Sequence, residues 1–306
     1  MTKNASLENQ STTAARAQYT TGTVTSQDGT SIGYYQYGHG PGIVLVQGAM
    51  GSAQNFSHLA EALSDTFTVY APDRRGRGLS PLPYRQDHTI QRDVEDLEAL
   101  LVKTGTRHVF GLSSGAVIVL AAALSSKTIQ KLAVFEPPLF ETTPLPTAEV
   151  ARFDRAMAQG NLGAALTAAG KAVQLVPIMN YIPGWLLTFM SNRMLASEAK
   201  RPKGDELTLR ELTLSLPYDF RDIVEMHGAL KRFSAIQTET LLLGGSKSPA
   251  YLTRDLDALE KVLPHVTRME FPGLGHAASW DYDKQRNPTG NPETVARELR
   301  RFFAEA

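Results

Sequence analysis

The chain has 306 residues, 42% of them hydrophobic, with 31 Lys+Arg balanced by 31 Asp+Glu and no cysteine. That length suits one large core or a core with an inserted subdomain, and the apolar and charged fractions are those of a soluble globular protein. Zero net charge gives no electrostatic case for a nucleic-acid or membrane partner. The absence of cysteine removes disulfides, thiolate metal sites, Fe–S clusters and cysteine nucleophiles, and fits a cytoplasmic chain.

Residues 1–18 are rich in Thr, Ser, Asn and Ala, lack an apolar h-region, and read as a disordered tail rather than a secretory signal. Residues 21–26 and 31–37 flank Asp28-Gly29, a two-residue hairpin signal. Ile43-Val44-Leu45-Val46 is a continuous aliphatic run of the kind buried on both faces of a sheet. An amphipathic stretch at 53–63 precedes a strand at 67–70. Helical spacing over 89–103 stops at Gly105. A strand at 108–110, an apolar helix at 114–125 and a strand at 131–135 follow. The most apolar run, 116–124, is about half of what a bilayer crossing needs.

From about 140 to 233 only helical periods occur, at 148–157, 162–175, 185–195, 206–214 and 220–226. Alternation then resumes with strands at 240–243 and 268–271 and helices at 251–263 and 292–303. Strands separated by helices predict an α/β protein with a mostly parallel sheet covered on both faces. The helical stretch reads as an inserted cap at 140–235, between core segments 19–139 and 236–306.

Gly111-Leu112-Ser113-Ser114-Gly115 is a G-x-S-x-G set where a strand meets a helix, the context of a nucleophile elbow. A sharp turn that holds the serine in a strained conformation closes only if the residues two before and two after lack side chains. Ser113 is therefore the expected nucleophile.

With this motif the chain resembles the α/β-hydrolase fold family from about residue 22 to 303. Asp73-Arg74-Arg75-Gly76-Arg77-Gly78-Leu79-Ser80 is similar to the family's D-x-R-G-x-G-x-S loop. Pro272-Gly273-Leu274-Gly275-His276 is similar to its P-G-x-G-H segment, which delivers the general base. A serine hydroxyl needs such an imidazole to take its proton. Of seven histidines only His276 follows a strand near the C-terminus among glycines. The other six are assigned to surface or packing.

The resemblance places the orienting acid after the strand that follows the cap, where this chain carries Ser248 and has no Asp or Glu between 240 and 251. Glu136, in Phe135-Glu136-Pro137-Pro138, stands at the end of the strand before the cap. Adjacent strand ends lie about 4.8 Å apart, within the reach of a glutamate. Zearalenone lactonase-like members carry a Glu acid after this strand, and the segment is similar to theirs. Glu136 is the expected acid, with Asp281 and Asp283 as alternatives. Capping of the strand end, or pairing with Arg74 or Arg75, is the plainer reading of Glu136.

The oxyanion hole implied by the resemblance comes from the backbone amides of Ser114 and, in Gln47-Gly48-Ala49-Met50-Gly51, of Ala49. Gln47 stands where the family usually has His. Met50, Phe140, Tyr181, Trp185, Phe189 and Trp280 are the expected apolar lining of the substrate site. Arg74, Arg75 and Arg77 read as braces of their own loop. No dinucleotide, P-loop or metalloprotease motif occurs, so neither metal nor organic cofactor is expected.

These readings imply a serine hydrolase of an uncharged apolar or aromatic ester or lactone. C–C bond or thioester hydrolysis, a cofactor-free haloperoxidase or perhydrolase activity, and a non-catalytic binding protein are its rivals. An exposed cap face leaves a homodimer open.

Overall fold

The computed structural model describes residues 19–174, 177–200, 206–284 and 287–304, so the tail expected at 1–18 lies outside the described residues. Among these, eight strands form one sheet: β1 (Tyr19–Thr25), β2 (Ser31–Tyr37), β3 (Gly42–Val46), β4 (Thr68–Pro72), β5 (His108–Leu112), β6 (Lys131–Phe135), β7 (Glu239–Gly245) and β8 (Val266–Phe271). Their order is β1-β2-β4-β3-β5-β6-β7-β8. The first two strands form the antiparallel hairpin expected at Asp28-Gly29, with Gly29 at φ 85°. From β4 to β8 every pairing is parallel.

A parallel sheet must bury both faces, and period-two alternation does this. Val44, Val46, Val109, Val134 and Leu242 join one core with α2 (Ile90–Thr104), α3 (Ser114–Ala123) and α8 (Ala250–Val262). Ile43, Leu45, Phe110, Phe135 and Leu243 join the other with α1 (Ser57–Leu63) and α9 (Pro292–Ala304). The amphipathic 53–63 stretch is a short 3-10 turn (Ala53–Phe56) running into α1.

Between β6 and β7 lie α4 (Thr147–Ala158), α5 (Leu162–Val173), α6 (Gly184–Glu198) and α7 (Leu209–Met226). Phe153, Ala165, Ala169, Leu216 and Phe220 make a core of their own, against which Ala49 and Met50 of the loop after β3 also pack. The two helices expected at 206–214 and 220–226 are one helix that continues through Pro217. A capping box of Thr208 and Glu211 starts it. Proline removes one amide donor from a helix, and here the buried Leu216, Tyr218, Phe220 and Ile223 hold the turn together on either side. No helix among the described residues is long and apolar enough to cross a membrane.

Helix α3 is buried along its whole length, and its docking depends on glycine. A Cβ on Gly115 would press into the Val46 carbonyl oxygen and lie 2.6 Å from that of Gln47. A Cβ on Gly111 would meet the Ala116 Cα at 2.7 Å. Helix propensity alone predicts that Gly115→Ala stabilises the chain by about 1 kcal/mol. The close backbone contact predicts instead a loss of about 3 kcal/mol, read as a lower urea midpoint at constant m-value.

Candidate active site

The chemistry-bearing residues collect at the carboxyl ends of β3, β5, β6 and β8, where open α/β sheets carry their ligand sites. Ser113 directly follows β5 and has φ 56° and ψ −124°, a conformation that costs a non-glycine residue about 1–3 kcal/mol. Its amide donates to the Phe135 carbonyl at 2.9 Å, and its carbonyl accepts from the Ala116 and Val117 amides in the first turn of α3. Gly48 presses on it from the loop after β3: a Cβ there would lie 2.8 Å from the Ser113 Cβ. Ala49 and Met50 follow, both partly buried, with Met50 at φ 58°.

Glu136 leaves β6 with φ 46°, and its amide donates to the Leu243 carbonyl at 3.1 Å. Its side chain is 1% exposed and crosses the end of β7. There Oε1 accepts from the Gly245 amide at 2.7 Å, and Oε2 lies 2.7 Å from Nδ1 of His276. A Cβ on Gly244 would sit 3.1 Å from that Oε1. The two glycines that end β7 clear the path.

Of the other carboxylates considered from sequence, Asp281 accepts from the Ser57 hydroxyl and the His58 amide at the start of α1, and the Asp283 backbone pairs with Asn287. At the Ser248 position the amide donates to the Gly245 carbonyl, and the buried hydroxyl has no hydrogen-bond partner among the described residues.

Sequence reasoning missed Asp255 on α8. Its buried carboxylate accepts the Leu139 and Phe140 amides at 3.0 and 2.8 Å and the Glu141 amide at 3.1 Å, clamping the segment that follows Glu136. Burial pushes its pKa up, against those three bonds.

The expected apolar lining is not gathered as predicted. Phe140 is buried and stacks on Tyr251 with ring centroids 4.9 Å apart, which makes it a packing group. Trp280 packs on Gly51, and its buried indole nitrogen has no hydrogen-bond partner among the described residues. Tyr181, Trp185 and Phe189 are 86%, 74% and 55% exposed. Helix α6, which carries Trp185 and Phe189, buries only Leu187 of its own residues.

The arginines expected to brace their own loop do more than that. Arg74 pairs with Asp93 of α2 at 3.2 Å, and with Asp219 and Asp222 of α7 at 2.7 and 2.9 Å. It also donates to the Ser114 hydroxyl, which in turn donates to Asp219 at 2.7 Å. Arg77 pairs with Asp219 and donates to the Gly48 carbonyl at 3.1 Å. Arg75 joins Asp28 and Asp96. Desolvation would raise the Asp219 carboxyl, but the Arg77 and Arg74 charges and the Ser114 bond hold it low.

His88, assigned from sequence to surface or packing, is instead buried in this cluster with Nε2 3.1 Å from both Asp93 and Asp222. Burial disfavours its charge, yet the Asp222 and Asp93 bonds and charges outweigh that and raise its pKa to about 9. His88, Asp93 and Asp222 also have the spacing of a metal-ligand set. Arg74 already supplies positive charge to the same two carboxylates.

A model of the alpha/beta hydrolase family matches residues 43–288. The chain belongs to that family. A solved alpha/beta hydrolase from Sphaerobacter thermophilus DSM 20745 shares 30% identity at a TM-score of 0.71, covering 92% of this chain and 100% of that one. An uncharacterized hydrolase of Bacillus subtilis (strain 168), YraK, is 40% identical over 93 residues, 29% of this chain and 34% of that protein. A cis-3-alkyl-4-alkyloxetan-2-one decarboxylase of Shewanella oneidensis is 32% identical over 132 residues, 40% of this chain and 42% of that protein. The chain thus spans less than half the length of these curated relatives. The sheet and helices are those expected of the alpha/beta hydrolase fold.

The His88 cluster has a pH signature. A group whose folded pKa is raised contributes stability that is complete below its unfolded value of 6.5 and lost as pH rises through about 9. Unfolding free energy should therefore fall by about 2–3 kcal/mol across that window. Urea titrations in His88→Gln should show a flatter dependence over the same range.

Proposed function

We propose that this alpha/beta hydrolase cleaves a carboxylic ester or lactone of an apolar or aromatic substrate through an acyl-Ser113 intermediate. The observation that carries the reading is the 2.7 Å contact between Glu136 Oε2 and His276 Nδ1, taken together with a serine held at positive φ directly after β5. With Nδ1 bonded to the glutamate, the other ring nitrogen of His276 is the base that takes the Ser113 proton. The alkoxide attacks the carbonyl carbon, and the oxyanion is received by the Ala49 and Ser114 amides. Protonated His276 returns its proton to the leaving alcohol. Water activated by the same imidazole then breaks the acyl–Ser113 bond. Glu136 keeps the imidazole oriented and stabilises its positive form.

No step of this scheme calls on a metal or organic cofactor. The insertion at 140–235 acts as the cap over the core at 19–139 and 236–306. A cyclic-ester substrate is in keeping with the partial relative named for an oxetan-2-one.

Ser113→Ala should abolish hydrolysis of 4-nitrophenyl esters while leaving the circular-dichroism spectrum unchanged, and a fluorophosphonate should label wild type at Ser113 only. Retained activity in that variant would remove the nucleophile. Glu136→Gln should lower kcat by about 10⁴-fold, as loss of a triad acid does elsewhere, whereas Ser248→Ala should stay near wild type. The opposite ranking would move the acid to the end of β7.

A further inference from the structure

We propose that Arg77 is a positioning residue of the oxyanion hole. Its guanidinium, held by Asp219 and Ser215 of α7, pins the Gly48 carbonyl and thereby aims the Ala49 amide. The inference rests on the serine-hydrolase reading above.

The argument starts from the peptide unit. A trans peptide is planar, with its carbonyl and its amide pointing in opposite directions. The Gly48 carbonyl and the Ala49 amide belong to one such plane. Arg77 Nη1 donates to the Gly48 oxygen at 3.1 Å. Fixing that oxygen fixes the direction of the Ala49 N–H on the other side of the plane, and a bond at the carbonyl also polarises the amide as a donor.

The two donors are held in different ways. The Ser114 amide shares its plane with the Ser113 carbonyl, which α3 anchors through the Ala116 and Val117 amides at 2.9 and 3.2 Å. The Ala49 amide lies in the loop after β3, outside any helix of its own, next to Met50 at φ 58°. The preceding plane is gripped more loosely, by Arg74 Nη1 at 3.4 Å from the Gln47 carbonyl.

Arg77 itself is 1% exposed and is gripped from the far side. Nη2 pairs with Asp219, and Nε donates to the Ser215 hydroxyl at 3.1 Å. Three partners on three nitrogens use the rigid planar fork that lysine lacks. Arg77 occupies a variable position of the D-x-R-G-x-G-x-S pattern, so the loop motif does not call for an arginine there. A buried ion pair is weak evidence of added stability. Aligning a catalytic peptide gives it a purpose that stability does not. In consequence helix α7 of the insertion is part of the frame that sets the hole.

The test compares wild type with Arg77→Met, Arg77→Lys and Ser215→Ala. Each is normalised by fluorophosphonate titration of Ser113, so that unfolded molecules are not counted. A 4-nitrophenyl ester reports kcat and KM, and an aryl trifluoromethyl ketone, whose Ser113 adduct places an oxyanion in the hole, reports Ki. Arg77→Met should lower kcat per titrated site by about 10- to 100-fold with KM nearly constant, somewhat less than removal of a whole donor. Ki should rise in the same proportion, Arg77→Lys should recover part of the loss, and the pH at which the base titrates should not move.

A merely structural role would reduce the number of titratable sites and leave kcat per site and Ki alone; that result overturns the proposal. Should Arg77→Met yield no folded protein, unchanged kcat and Ki in both Arg77→Lys and Ser215→Ala overturn it equally. A wild-type chain that is not labelled at Ser113 overturns the serine reading, and the proposal with it. Labelling with unaltered kinetics in every variant overturns the proposal alone.

Discussion

A carboxylate can cross a neighbouring strand only where that strand carries no side chains in its way. Glu136 leaves β6, passes the end of β7 and meets His276 after β8, and β7 ends in Gly244 and Gly245. The first of these has no Cβ to meet Oε1, and the second offers its amide to the same oxygen. Everything else at this end of the sheet is arranged around that crossing. Asp255 clamps the amides of Leu139, Phe140 and Glu141, which fixes the path of the chain just beyond Glu136. Gly48 and Gly115 let the β3 loop and α3 close on Ser113.

The second organising feature is a set of charges buried where water cannot screen them. Arg74 and Arg77 come from the loop after β4, Asp93 from α2, His88 from the segment before it, and Asp219 and Asp222 from α7. Removing one member of such a group leaves another charge buried without its partner, which is far more costly than the pair is stabilising. The cluster therefore behaves as one unit. It ties the helical insertion to the loop after β3 and to the first residue of α3, while α6 on the same insertion leaves its aromatic side chains in solvent.

Much of the architecture was legible from periodicity, because a parallel sheet with helices on both faces writes a strong alternating signal. The strand at residues 131–135 and the hairpin at Asp28-Gly29 appear as read. The reading divided α7 in two because helical periods are a local signal, whereas α7 is held through Pro217 by long-range packing and ion pairs. Tyr181, Trp185 and Phe189 misled it for a similar reason: composition marks a side chain as apolar but not the direction it faces.

The sequence by itself determined the fold family, the strained serine turn and the identity of the residues able to do acid–base chemistry, since those follow from local spacing and from side-chain type. Only the tertiary structure decided which carboxylate meets His276, what surrounds His88, and that Arg77 grips the Gly48 carbonyl. Those contacts join segments up to 140 residues apart. No local pattern records them, because their geometry exists only once the sheet has set the order of its strands.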